Sequence, residues 1–174
     1  MAKGVYLSEI PANVNPAVDG ITVHMPDPFI HRSSQGWAGT RGHGDAPIYS
    51  GWGGAQPDVT PYGQPLQVNG QRFKAGIGTL TNSRIEVRNT GAADFVTKVG
   101  IDDSTLNTGQ SATFSIYGDG KLLVTSKPRA FGQAAQTLTA HIKGVKIIEL
   151  VTRSASVPNA LPTVVTWGDA ALMD

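Results

Sequence analysis

An all-β sandwich is the fold class that this sequence of 174 residues predicts, and three observations carry the prediction. Short apolar runs alternate with polar residues at a period of two, the signature of strands with one buried face. Turn-forming residues separate the runs, with 21 Gly and 11 Pro spread along the chain. No window long enough for a substantial amphipathic helix survives that spacing.

Residues 11–50 behave differently from the rest of the chain. They are rich in Gly, Pro, Asn and His and sustain no periodicity. Connections longer than about 12–15 residues are uncommon in compact domains and are usually functional or disordered. Yet a solvated linker has no need of Ile21, Val23, Met25, Phe29, Ile30, Trp37, Ile48 and Tyr49. The expectation is a long irregular arm that packs on its own sandwich or on another subunit, with Phe29, Trp37 and Tyr49 as interface residues.

From about Leu66 the strands succeed one another. In residues 83–88, Ile85 and Val87 alternate with Arg84, Glu86 and Arg88. Residues 95–101 put Phe95, Thr97, Val99 and Ile101 on one face. In 111–117, Ala112, Phe114 and Ile116 oppose Thr113, Ser115 and Tyr117. Gly118-Asp119-Gly120 then predicts a tight hairpin into 121–126, because Asp-Gly tolerates positive φ. Residues 136–141, 146–153 and 164–168 complete the set. His141 falls with Thr137 and Thr139 on a solvent face.

The charge balance excludes some partners. With 14 Lys+Arg against 13 Asp+Glu, a net charge of +1 and no charge blocks, nothing suits a nucleic-acid backbone or an anionic membrane. Without cysteine there is no disulfide framework and no thiolate chemistry. No apolar run approaches the roughly 20 residues of a membrane span, and residues 1–10 lack the apolar core of a signal peptide. No membrane insertion is expected. A single domain of this length buries roughly 70% of the surface its unfolded chain exposes, so no staples are required.

The motifs together resemble the NPCBM family of carbohydrate-binding modules. Tyr6-Leu7-Ser8-Glu9-Ile10 is similar to the family's first strand, and Gly51-Trp52-Gly53 with Asp58 to its next landmark. Leu66-Gln67-Val68-Asn69-Gly70, Phe73, Gly76-Ile77-Gly78-Thr79 and Asn82-Ser83 resemble its most recognisable segment. Phe95 through Val99-Gly100-Ile101-Asp102-Asp103 comes next in register. So do 114–121, Gly144-Val145-Lys146 and Trp167-Gly168-Asp169-Ala170. The resemblance spans about residues 51–172. It implies a galactose-binding-like jelly-roll sandwich, with residues 1–10 as its first strand, 11–50 as an inserted arm and 51–174 as the body.

Three departures from the family pattern stand out. Leu80 occupies the place where the family commonly has His after Gly-Ile-Gly-Thr. Thr163 and Val164 stand where it commonly has Asp-His. Residues 11–50 replace a short loop. An alkyl side chain supplies neither donor nor acceptor to a polar ligand.

By resemblance, Trp52, Thr79, Asn82 and Asp169 are the candidate sugar-site residues. Trp52 is as readily a platform for a sugar ring as a packing residue, whereas Trp167 reads as core, its indole N–H finding a backbone partner. Asp102 and Asp103, adjacent carboxylates, could contribute to a structural Ca²⁺ site, but read better as turn formers. Otherwise no cofactor is expected. His24, His31 and His43 match no compact ligand spacing. Glu9, Glu86 and Glu149, each in an expected strand, show no evident acidic partner for glycoside hydrolysis. No catalytic residue is therefore expected.

Two functions are consistent with these features. One is a non-catalytic surface recognition or decoration module taking galactose-type glycans, located outside cells or on a particle surface. The other is a structural subunit of a large assembly such as a virus particle, docked through residues 11–50 to a protein partner.

Overall fold

The computed structural model describes residues 4–10, 21–24, 34–35, 55–106, 108–154 and 163–174. They form fifteen strands: β1 (Gly4–Tyr6), β2 (Ile21–His24), β3 (Ser34–Gln35), β4 (Gln56–Pro57), β5 (Leu66–Val68), β6 (Gln71–Phe73), β7 (Gly76–Leu80), β8 (Ser83–Arg88), β9 (Asp94–Ile101), β10 (Ser111–Gly118), β11 (Lys121–Thr125), β12 (Arg129–Ala130), β13 (Gln136–His141), β14 (Ile147–Ser154) and β15 (Val164–Met173). A 3₁₀ turn, Leu7–Glu9, comes directly after β1, so Glu9 is not in a strand.

Alternating burial sorts most of these strands into two antiparallel sheets. The first runs β13–β9–β15–β7–β4, with β1 beside β15. The second runs β11–β10–β14–β8–β2–β3, with β12 on β10. The stretch expected to be irregular therefore supplies two strands, since Ile21–His24 pairs with β8 and Ser34–Gln35 with β2. One core fills the space between the sheets. Ile77, Phe95, Val99, Ile101, Val165 and Trp167 come from the first, and Ile85, Val87, Phe114, Ile116, Ile148 and Leu150 from the second. Each such side chain contributes about 1.5–3 kcal/mol on burial. At the centre Trp167 meets Phe114 edge-on, with ring centroids 5.2 Å apart at 84°. Trp167 is core as expected, but its buried Nε1 has no hydrogen-bond partner among the described residues.

The Asp-Gly hairpin forms between β10 and β11, with φ of +48° at Asp119 and +84° at Gly120. The Asp119 carboxylate also reaches across to β14, accepting the backbone N–H of Lys146 at 3.1 Å and of Ile147 at 2.9 Å. The Ile147 and Lys146 amides hold its pKa below the ordinary carboxylate value, against a small desolvation cost. A depressed folded-state pKa stabilises the fold above the ordinary value, and that contribution disappears as pH falls through the lowered one. Denaturation of wild type and Asp119→Asn should therefore differ at neutral pH. The two should converge only in acid, below the normal carboxylate range.

β15 is longer than the alternation suggests because it contains a bulge. Its register against β9 shifts between Gly168 and Ala171. Asp169 adopts φ +47°, and its N–H bonds the carbonyl of Ala75 at 2.8 Å. Before the bulge β15 pairs with β7; after it, Tyr6↔Ala171 to Gly4↔Met173 pair it with β1.

A separate hairpin, β5–β6, lies across the outer face of the first sheet. Its Leu66, Val68 and Phe73 form a second small core. The sheet meets them with glycines. A Cβ at Gly78 would sit 2.2 Å from Val59 O, one at Gly100 2.5 Å from Val68 Cγ1, and one at Gly168 2.6 Å from the Phe73 ring.

Candidate functional site

The turn after β9 fastens that hairpin to the sheet. Asp102 is fully buried and its carboxylate accepts four hydrogen bonds. Oδ1 takes Ser104 N (2.9 Å) and Ser104 Oγ (2.6 Å); Oδ2 takes Gln67 N (3.0 Å) and Thr166 Oγ1 (2.6 Å). Asp103 Oδ1 accepts Asn69 N at 2.8 Å, while Oδ2 accepts Gly70 N and Gln67 Nε2, both at 2.9 Å. The Ser104 bonds are the expected turn chemistry. The bonds to residues 67–70 add a tie spanning more than thirty residues, which adjacency in sequence does not reveal. A carboxylate has about four lone-pair sites, so Asp102 has none left for a cation and Asp103 has one.

Between this turn and the hairpin lies a cavity of about 290 Å³, lined by Gln64, Pro65, Gln67, Arg72, Asp102, Asp103 and Ser104. A polar chain sets its wall. Asp103 holds Gln67 Nε2, and Gln67 Oε1 in turn accepts Arg72 Nε at 3.2 Å. The two Nη groups of Arg72 have no hydrogen-bond partner among the described residues.

The three sequence candidates among the described residues do not converge. Thr79 is fully buried, and its hydroxyl lies 3.2 Å from Ser83 Oγ, which bonds Thr152 Oγ1 at 2.8 Å. This hydroxyl cluster joins the two sheets internally. Asn82 is exposed at the β7–β8 turn with φ +63°, and its Oδ1 accepts Ser154 N at 3.1 Å. Asp169 lies beyond the other end of β7, roughly 20 Å from Asn82 at about 3.3 Å per residue. Trp52 falls outside the described residues, as do the arm residues Phe29, Trp37 and Tyr49.

Two departures from the family pattern meet in space. Val164 pairs directly with Leu80 across β15 and β7, and both are buried. Thr163 is buried too, its N–H bonded to Thr81 Oγ1 at 3.0 Å. Sequence separation hid a third pairing. Glu86 and Glu149 stand directly opposite on β8 and β14, contrary to the expectation of no acidic partner. Arg84 Nη1 contacts Glu149 and lies 3.6 Å from Glu86, so the pair is bridged by a cation.

A sequence profile of the NPCBM/NEW2 domain matches residues 43–173. This chain belongs to the NPCBM/NEW2 domain family. A Renibacterium salmoninarum protein, provisionally named an endo-alpha-N-acetylgalactosaminidase, is 33% identical over 126 residues. The match takes in 72% of this chain but 8% of that far longer protein. Among solved structures, this NPCBM domain resembles the CBM51 of Clostridium perfringens GH95 in complex with methyl-galactose. That likeness has a TM-score of 0.66 at 21% identity and covers 98% of this chain and 99% of that one. The CBM51-2 and INT domains of Clostridium perfringens ZmpB, in complex with GlcNAc, match with a TM-score of 0.68 at 22% identity. Here the coverage is 99% of this chain and 32% of that one. The NPCBM domain therefore has the carbohydrate-binding-module sandwich fold of CBM51.

Proposed function

We propose that this NPCBM domain is a non-catalytic module that recognises galactose-type glycan ends. The observation that carries the reading is the end-to-end correspondence with a CBM51 in complex with methyl-galactose, a likeness that takes in nearly the whole of both chains. Two features support the non-catalytic half. The opposed carboxylates Glu86 and Glu149 are bridged by Arg84, one cation shared between two anions, and Asp102 is saturated with donors. Glycoside hydrolysis needs one free carboxylic acid and one free carboxylate facing each other across a bond.

Of the four candidate residues, Asn82 and Trp52 suit direct contact. Asn82 Nδ2 has no partner among the described residues, and the indole of Trp52 would take the apolar face of a sugar ring. Thr79 supports Ser83 from within, and Asp169 shapes β15. Titration calorimetry and amide-shift NMR with methyl-galactose and GlcNAc test the function. Saturable binding at millimolar concentration or below, with the sugar recovered intact, is expected. Silence from both sugars in both methods would overturn the reading.

A further inference from the structure

We infer that the cavity between the β5–β6 hairpin and the Asp102–Asp103 turn is a binding site for one neutral, hydroxyl-rich sugar ring, with Arg72 as its principal contact. The inference rests on the glycan-recognition reading, keeps its neutral sugar class, and places the sugar at this hairpin instead of at Asn82 and Trp52.

Size sets the first limit. Ligand cavities commonly run from about 300 to 1,000 Å³. At about 290 Å³ this open cleft stands at the lower end of that range, with room for one small ring.

Hydrogen-bond accounting sets the second. Asp102 has all its lone-pair sites filled, so it acts as floor and not as contact. Three bonds to Asp103 leave one site, on Oδ1. Ser104 Oγ gives its proton to Asp102 and can only accept from a ligand. On the donor side, Arg72 keeps both Nη groups. The exposed Gln64 side-chain amide has no partner among the described residues and can both give and take. The wall therefore offers donors and acceptors side by side. A sugar hydroxyl answers both at once, since it gives one hydrogen bond and accepts two.

Charge decides between a neutral and an acidic sugar. A ligand carboxylate would meet the Arg72 fork well. It would also face the Asp103 carboxylate and the Ser104 oxygen lone pairs with no proton to offer them, at a site whose two Asp outnumber its one Arg. Neutral vicinal hydroxyls avoid that conflict.

Preorganisation is the last element. Arg72 Nε is tied back to Gln67 Oε1, and Gln67 Nε2 to Asp103 Oδ2, so the planar guanidinium is tethered by a relay that ends on the turn after β9. Less side-chain freedom is then lost when a ligand binds. The Pro65 ring supplies an apolar wall for the C–H face of a sugar.

The test is amide and side-chain NMR on the isotope-labelled full chain. Methyl-galactose, GlcNAc and galacturonic acid are titrated into wild type, Arg72→Ala, Arg72→Lys and Gln64→Ala. Arg72 and Gln64 are exposed, so these variants should fold normally. Shifts from the neutral sugars should centre on Gln64, Gln67, Arg72 and Ser104. Arg72→Ala should weaken binding about tenfold or more, and Arg72→Lys should recover only part of it, because a point charge cannot replace the fork. Galacturonic acid should bind at least tenfold more weakly than methyl-galactose. Neutral-sugar shifts centred on Asn82 and unmoved by Arg72→Ala would overturn the location and leave the glycan reading standing. Equal or tighter binding of galacturonic acid would overturn the ligand class. No shifts with any of the three sugars would overturn the glycan reading and this inference with it.

Discussion

Replacing Asp102 with alanine is expected to lower the unfolding free energy by about 3–5 kcal/mol, because it orphans several donors around a fully buried carboxylate. Gln67 N, Ser104 N, and the hydroxyls of Ser104 and Thr166 all point at its two oxygens. Hydrogen bonds to a charged acceptor contribute about 1.5–3 kcal/mol each, and a buried donor left unpaired costs about 1–3 kcal/mol. Solvent reaches Ser104, which can find water, so the sum of single bonds overstates the loss. Asp102→Asn keeps one acceptor oxygen and should cost about half as much. The loss is read by urea denaturation, and at this chain length each kcal/mol lowers the thermal midpoint by about 2–4 °C. Hydrogen exchange adds a local readout, since the Gln67 amide should lose its protection first. A change below about 1 kcal/mol, with the Gln67 amide still protected, would mean that the apolar contacts of Leu66, Val68 and Phe73 hold the hairpin without the turn.

The second large effect comes from adding one methyl group. Gly78→Ala would place a Cβ 2.2 Å from the carbonyl oxygen of Val59, 2.6 Å from Thr60 Cα and 2.9 Å from Leu66 Cδ2. Two of those three neighbours are backbone and cannot rotate away. Overpacking typically costs about 1–3 kcal/mol, and here the upper end or more is expected. Gly100→Ala is the informative comparison, because its close neighbours are all atoms of one side chain, Val68. Pairing it with Val68→Ala should relieve the clash, so the double variant should be less destabilised than the two single losses added together. No such rescue is open to Gly78→Ala through Leu66→Ala, since the Val59 and Thr60 backbone remains. Full additivity in the Gly100–Val68 cycle would contradict the seating of β5 on the sheet.

The alternating strands were legible because period-two burial is a local property. Ile85 and Val87, then Phe95, Val99 and Ile101, and then Ala112, Phe114 and Ile116 all face inward as their spacing predicts. The Asp119-Gly120 hairpin was legible from turn chemistry alone. β15 was readable only to Gly168, because its bulge changes the phase of alternation. Val165 and Trp167 face the core before it, Ala170 and Leu172 after it, and no single period fits both halves. β2 escaped for another reason: its four residues sit between long stretches without a pattern, and its pairing with β8 is non-local.

The candidate site was harder to read, since its parts meet only through register. Asp102 and Asp103 showed their turn role, but not their grip on residues 67–70. Arg72 carried no signal, for a single exposed Arg in a hairpin resembles any solvated charge. Leu80 and Val164 stood out singly as departures; that they form one cross-strand pair emerges only from the β7–β15 alignment.

The pairing of Gly4 with Met173 has a mechanical consequence. It brings the two ends of the described chain to one edge of the sandwich, at the Asp94 end of β9, away from the Asp102 turn. Tension applied through Gly4 and Met173 would act across the hydrogen bonds between β1 and β15 and open them in succession, rather than shearing all of them together. Three residue pairs would part before the pull reached Leu7, which is fully buried in the main core. Leu7 is thus the latch between a frayed edge and an opened sandwich, while the cavity beside Arg72 sits at the unloaded end.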